Sequence, residues 1–234
     1  MLIAPKFTYP EIKRIESETE GRKYDTPSGI LPSVTTILSA TKSASSTQAL
    51  DNWKAWHGEK EADRIVTESA NVGTLLHKHL ECHIKGEERP TGNNIIRMQA
   101  KKLADVVIAK GLSNMSEVWG VEVPLYFPAL YGGTTDMIGI HKGDPAIIDF
   151  KNTRKPKKDE YVEDYKTQIC AYSSAHDAVY GTDIKKGVIM CICRGDTKPA
   201  DFGLYQEWVL EGIEFQKYKD EWFRRVEKYY NSNT

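Results

Sequence analysis

The 234-residue chain has only four cysteines, Cys82, Cys170, Cys191 and Cys193. None stands in a C-x-x-C pair or at zinc-ligand spacing, which argues against a disulfide framework and a structural zinc site. Cys191-Ile192-Cys193 reads instead as one face of a strand packed in a core. No apolar run approaches the ~20 residues needed to span a bilayer, so no membrane attachment is expected. The opening stretch, broken at Pro5, is too short for a secretory signal. Charge surplus is missing too: 32 Lys and Arg stand against 33 Asp and Glu, a formal net charge of -1. A surface that grips polyanions everywhere is therefore excluded, whereas a local basic groove beside an acidic site is not. There is no internal repeat, and the P-loop pattern G-x-x-x-x-G-K-[ST] is absent, so ATP-driven work is not encoded here.

What is present is ample core material: 40% of residues are hydrophobic and 28% charged. Residues 31–38 read as a loop entering a short helix, and 39–47 as a polar loop. Apolar spacing over 48–85 is helical, with Trp53 and Trp56 read as core residues in preference to base-stacking platforms, a use that single-strand binders make of aromatics, and Gly86 ends that block. A further amphipathic helix is expected over Ile95–Lys110, closed by Gly111. After Gly111 the period changes. Strands are expected at 118–127, Tyr131–His141 and 146–150, a helix at 160–179, strands at Gly187–Cys193 and Tyr205–Leu210, and a helix at 213–230. The fold expected is α/β, a central mixed β-sheet flanked by helices. A mostly helical N-terminal region, 1–111, would pack on a core formed by 112–234.

Asp136, Asp149 and Lys151 are the central candidates. An acid-x-Lys triplet alone is uninformative, because this chain has five of them, beginning at Glu11, Asp149, Asp164, Asp183 and Asp196. Only Asp149-Phe150-Lys151 follows an apolar run, Ala146-Ile147-Ile148, that marks a buried strand. Residues two apart share a strand face, so Asp149 and Lys151 point the same way. A hairpin around Lys142-Gly143 makes paired residue numbers total 285, which places Asp136 opposite Asp149. Like charges facing across strands are destabilising unless neutralised. A divalent cation does this, and hard oxygen donors suit Mg²⁺ or Mn²⁺. The alternative is a same-face Asp149–Lys151 ion pair with Asp136 solvated at the turn side. Glu122, on the preceding strand, either faces the site or is a plain edge-strand acid.

Gly132-Gly133-Thr134-Thr135-Asp136, then Asp149-Phe150-Lys151, then Gln168-Ile169-Cys170-Ala171-Tyr172 resemble the G-x-x-D, D-x-K and Q-x-x-x-Y elements of PD-(D/E)xK nucleases of the RecB-like branch, in that order. Gly73-Thr74-Leu75-Leu76-His77 resembles the helical G-x-x-x-H element of that branch. Leu31 to Thr35 and the helix from Leu50 to Trp56 further resemble the mitochondrial genome maintenance exonucleases and their phage relatives. The likeness runs from about Leu31 to Tyr180. It implies a restriction-endonuclease-like core. It also implies Asp136, Asp149, His77 and the Phe150 carbonyl as ligands of Mg²⁺ or Mn²⁺, and Lys151 at the attacking water or scissile phosphate. Gln168 and Tyr172, on one helix face, would orient Lys151 or the DNA backbone. An iron–sulfur cluster is not expected, because the cysteines lack the flanking arrangement. The Pro of the nominal P-D pair is replaced by Thr135.

The chemistry so implied is phosphodiester hydrolysis with one or two metals. A lysine beside the metal would be disfavoured as a cation and eased toward relaying a proton. The run 151–158 holds five positive charges in eight residues, so Arg154 and Lys155 are candidate DNA contacts, with Arg97, Lys101 and Lys102 extending the track. Ser33 caps a helix or offers its N-terminus to a phosphate. The expected activity is a metal-dependent exonuclease on free ends of single-stranded DNA in replication, repair or recombination, alongside proteins of those processes. It would work in the cytoplasm, or in the host cytoplasm if phage-encoded. The alternatives are a structure-specific endonuclease and a non-catalytic DNA-binding recombination protein on the same fold.

Overall fold

Within the N-terminal region, residues 2–17 and 21–32 form short strands and the segments joining them. The computed structural model describes residues 2–17 and 21–232. After the two-residue strand β1 (Leu2–Ile3), an antiparallel sheet is built from β2 (Lys13–Ser17), β3 (Gly21–Thr26) and β4 (Gly29–Pro32). The β3–β4 turn is made by Thr26-Pro27-Ser28-Gly29. The Thr26 hydroxyl accepts from the Ser28 N–H at 3.1 Å and donates to the Gly29 carbonyl at 2.8 Å, with Gly29 at φ 102. Only Tyr24, Leu31 and a few neighbours are buried here, so no long periodic signal marks these strands.

Four helices follow: α1 (Val34–Ala40), α2 (Ala44–His57), α3 (Glu59–Lys85) and α4 (Ile95–Lys110). The polar stretch expected as a loop is largely helical, because the Ser43 side chain accepts from the Ser46 N–H and starts α2. The single block expected over 48–85 is broken at Gly58, whose φ of 78 suits a residue without Cβ. α2 buries none of its residues. Trp53 is half-buried and Trp56 is 81% exposed, so neither is the core residue expected. α3 ends as expected at Gly86 in the left-handed conformation, with the Glu87 N–H donating to the Cys82 carbonyl at 2.8 Å.

The second half follows the expected order: β5 (Met115–Phe127), β6 (Tyr131–His141), β7 (Asp144–Thr153), α5 (Glu163–Tyr180), β8 (Gly187–Cys193), β9 (Tyr205–Leu210) and α6 (Gly212–Ser232). These strands and β1 make a mixed six-stranded sheet in the order β1-β5-β6-β7-β8-β9. β1 runs parallel to β5 and β7 parallel to β8, and the other pairs are antiparallel. Side-chain alternation divides the core into two layers. Ile138, Ile147, Ile189 and Cys191 pack with α1, α5 and α6; Met137, Ile148, Phe150, Val188 and Met190 pack with α3 and α4. Both faces being covered explains why β8 is buried along its whole length. All four cysteines are buried free thiols. Among the described residues no helix is long and apolar enough to cross a membrane.

Candidate active site

Lys142 and Gly143 lie at φ 47 and 97, the pattern of a two-residue hairpin turn whose twist matches its strands. The turn sets the expected register: Met137 faces Ile148 and Ile138 faces Ile147. The ladder then stops one pair short of the two aspartates. β7 continues beside β8, with Asp149 opposite Ile189, while β6 continues beside β5. At this parting the Asp136 carboxylate accepts the Phe150 N–H at 2.6 Å, a charge-assisted bond that fixes its orientation.

One stripe of α3 closes on the same place. Ser69, Gly73 and His77 are four residues apart and share a face. The Arg194 guanidinium donates to the Ser69 hydroxyl at 2.9 Å. At Gly73 an added Cβ would lie 2.7 Å from the Asn152 amide nitrogen, so glycine is what allows α3 to lie this close to β7. His77 follows, its Nε2 3.1 Å from the Phe150 carbonyl oxygen. Its Nδ1 is 3.3 Å from Asp136 Oδ1 and 3.9 Å from Glu122 Oε1.

Of the two roles open to Glu122, the structure gives it the one that faces the site. Glu122 has φ 52, a left-handed conformation uncommon outside glycine, in a strand whose register shifts between Val118 and Gly120. Donor atoms of His77, Glu122 and Asp136 all lie within 4.8 Å of one another. A signal was available. The β5–β6 pairs Val121–Met137 and Val123–Thr135 bracket Glu122 and Asp136, so the register argument used for Asp149 also sets Glu122 against Asp136.

Asp149 makes a different contact. It is buried, and its Oδ2 lies 2.5 Å from Lys151 Nζ, the same-face ion pair that was the alternative reading. The ammonium also sits 5.1 Å from the centre of the Tyr165 ring. Burial, reinforced by Asp136, pushes the Asp149 carboxyl up to about 6 despite Lys151. Burial opposes charge on Lys151, but Asp149 and Asp136 outweigh it and hold the ammonium above its ordinary value. Burial also opposes charge on His77, yet Asp136 and Glu122 raise its imidazole to about 10. Asp136 is held below the usual carboxylate range because His77 and the Phe150 N–H outweigh its burial.

The remaining candidates are placed as follows. The Gln168 amide donates to the Tyr172 hydroxyl at 2.9 Å, and the Tyr172 ring lies where a Cβ on Gly133 would come within 2.6 Å of it. Ser33 is buried, and its hydroxyl is spent on the Thr36 N–H and the Thr35 and Thr36 hydroxyls, each at 2.9 Å. Arg154 and Lys155 line a groove next to Asn152 and Tyr165. Arg97 and Lys101 are not part of it: Arg97 donates to the Thr91 carbonyl at 2.8 Å and Lys101 pairs with Asp105 at 3.3 Å.

An imidazole nitrogen and two carboxylates, drawn from three different elements, suit a hard divalent cation such as Mg²⁺ or Mn²⁺. Two acids on neighbouring strands, both within 3.9 Å of His77 Nδ1, are a charge arrangement that such an ion would complete, with the imidazole giving up its proton to ligate it.

No family model matches the sequence. The chain is 30% identical over 209 residues to mitochondrial genome maintenance exonuclease 1 of Mus musculus, covering 85% of this chain and 59% of that protein. Identity to the protein of the same name is 27% over 217 residues in Xenopus tropicalis and 25% over 212 residues in Homo sapiens. The chain thus spans somewhat under three-fifths of the length of these relatives, at 58–59%. A solved structure from Eubacterium rectale, provisionally assigned as an exonuclease, aligns with TM-score 0.46 and 13% identity over 69% of this chain and 64% of its own. That likeness is too slight to bear on fold or function.

Proposed function

We propose that the chain is a Mg²⁺- or Mn²⁺-dependent deoxyribonuclease of the PD-(D/E)xK, RecB-like type that removes nucleotides from free ends of single-stranded DNA in replication, repair or recombination. The observation that carries this reading is the convergence of His77, Glu122 and Asp136 within 4.8 Å, beside the buried Asp149–Lys151 pair. The similarity to proteins named exonucleases supports it.

His77, Glu122 and Asp136 would hold the cation, with Asp149 and the Phe150 carbonyl beside it. When bound, the ion lowers the pKa of its water and neutralises charge on the phosphoryl oxygens. The Phe150 N–H keeps the Asp136 carboxylate in one orientation, so little reorganisation is needed when substrate arrives. Lys151, held as an ammonium by Asp149 and the Tyr165 ring, is placed to hold a phosphoryl oxygen as negative charge develops. The Gln168–Tyr172 pair stiffens the helix behind the two strands. Arg154 and Lys155 would neutralise backbone phosphates beyond the scissile one.

The test is digestion of end-labelled linear DNA, single- and double-stranded, and of circular single-stranded DNA, with Mg²⁺, Mn²⁺ or chelator. Loss of the linear single strand with metal, none with chelator, and an intact circle are expected. A circle cut as fast as the linear strand would replace the exonuclease by a structure-specific endonuclease. Full activity of an Asp136→Asn protein would remove the site assignment.

A further inference from the structure

A groove opens where the site ends. β7 passes from Lys151 through Asn152 and Thr153 into the basic run, and the groove follows it. The groove is lined by Trp53, Trp56 and His57 from the last turn of α2, by Arg154, Lys155 and Lys157 from the basic run, and by Tyr165. Tyr165 is also the ring over which the Lys151 ammonium sits, so groove and site share a wall. Arg154, three residues past Lys151, is only about 10 Å further along an extended chain.

The aromatic wall is ordered and yet open. The His57 ring centre lies 4.9 Å from that of Trp53 and 4.5 Å from that of Trp56, edge-on to the latter. Trp56 nevertheless leaves 81% of its surface exposed. Single exposed apolar residues are ordinary, but here two indoles, an imidazole and a phenol line one cleft. None of the residues lining the groove is acidic, in a chain with 33 acids. Arg154 is steadied through Nε by Asp196 at 3.3 Å. Flat π-faces opposite fixed cations complement a ligand that has exposed rings on a polyanionic backbone. Single-stranded nucleic acid is such a ligand, whereas a duplex keeps its base faces stacked internally.

We infer that the end of α2 is a base-stacking platform: Trp56 and Trp53 take the unpaired bases flanking the scissile phosphate while Arg154 and Lys155 take the backbone. This rests on the nuclease reading of the adjoining site and gives it a cause of single-strand preference. Trp56, 81% exposed on a helix with no fully buried residue, can be replaced with little effect on the fold.

The test uses the whole chain in chelator, titrated with labelled oligothymidylate and with an abasic deoxyribose-phosphate strand of equal length. Trp56→Ala is expected to weaken oligothymidylate binding about 5- to 150-fold, the equivalent of ~1–3 kcal/mol per stacked base. Binding of the abasic strand should not change, and Trp56→Tyr should restore most of the loss. An Arg154→Ala, Lys155→Ala protein is expected to weaken both strands alike. Equal affinities of the native and Trp56→Ala proteins for oligothymidylate, or equal losses on both strands, would overturn the platform. Hydrolysis of linear DNA by the native protein with Mn²⁺, run in parallel, separates the two ideas. Its absence defeats the nuclease reading, whereas hydrolysis with unaltered binding by Trp56→Ala defeats the platform alone.

Discussion

Glu122 holds a backbone conformation at φ 52 that costs a residue with a Cβ about 1–2 kcal/mol. Its carboxylate faces His77 and Asp136, so function supplies a reason for strain that packing does not. Glu122→Gln keeps the length of the side chain and removes its charge. The expected result is at least the 10-fold loss of Mn²⁺ affinity that removal of a mere supporting partner brings, read by titration calorimetry; unchanged affinity would return Glu122 to the edge-strand role. A second residue contributes to pH behaviour away from the site. His176 is buried, with Nδ1 2.7 Å from the Thr182 hydroxyl and Nε2 3.3 Å from Tyr9 Oη, and burial lowers its imidazole to about 4. The unfolded chain takes up this proton near pH 6.5 and the folded chain only near 4. The contribution to stability is therefore complete above pH 6.5 and declines as pH falls from 6.5 to 4. Melting curves at pH 7.5 and 4.5 should differ by less in His176→Gln than in the native protein, and identical differences would show that His176 is not the group responsible.

At the scale of elements, the site depends on how closely α3 lies against β7. Ser69, Gly73 and His77 form the contact stripe, and Gly73 is its closest point of approach to Asn152. Two effects oppose one another in Gly73→Ala. Alanine gains about 1 kcal/mol of helix propensity, while its Cβ, 2.7 Å from Asn152 Nδ2, requires either that the Asn152 amide swing aside or that α3 move outward, and the second outcome is the one expected to reach the site. Global stability is expected to change by no more than about 1 kcal/mol, whereas Mn²⁺ affinity falls about 10-fold because His77 is carried away from Asp136. Denaturant unfolding and metal titration on the same preparation separate these effects, and a fall in both together would mean that the glycine serves packing alone. The pattern of a glycine four residues before a histidine was legible in the sequence. That this histidine would come to Asp136 and the Phe150 carbonyl followed only from the resemblance, and that Glu122, 45 positions away in the chain, would join them was left open, because spacing along one helix says nothing of partners on distant strands.

At the scale of the whole molecule, the proposed site brings Glu122, Asp136 and Asp149 to one place from three strands. Metal that binds the folded chain and not the unfolded one stabilises it by about 2.7 kcal/mol when present at 100 times Kd. For a chain of this size that corresponds to a rise in Tm of about 5–10 °C. Mn²⁺ is expected to produce such a rise, chelator to reverse it, and Asp136→Asn to abolish it. An equal rise in the Asp136→Asn protein would place the bound metal elsewhere. The sheet is also the reason the halves of the chain cannot be treated apart: α3 and α4 cover one face of β5 to β8, while α1 joins α5 and α6 on the other.

Local chemistry sufficed for much of this. The apolar periods, the Lys142-Gly143 turn and the Gly86 and Gly111 stops determined the strand and helix order after residue 86 and the register that brings Asp136 level with Asp149, because turn geometry and side-chain alternation act over a few residues. The N-terminal sheet escaped such a reading because its short polar strands bury too little to leave a period. The exposed tryptophans escaped it because helical spacing says which residues share a face and not what covers that face. Which acid joins Asp136 at His77, and which groups surround the Lys151 ammonium, were decided only by the tertiary structure. Both depend on burial and on charges brought together from distant parts of the chain, and electrostatic energies follow separation in space rather than in sequence.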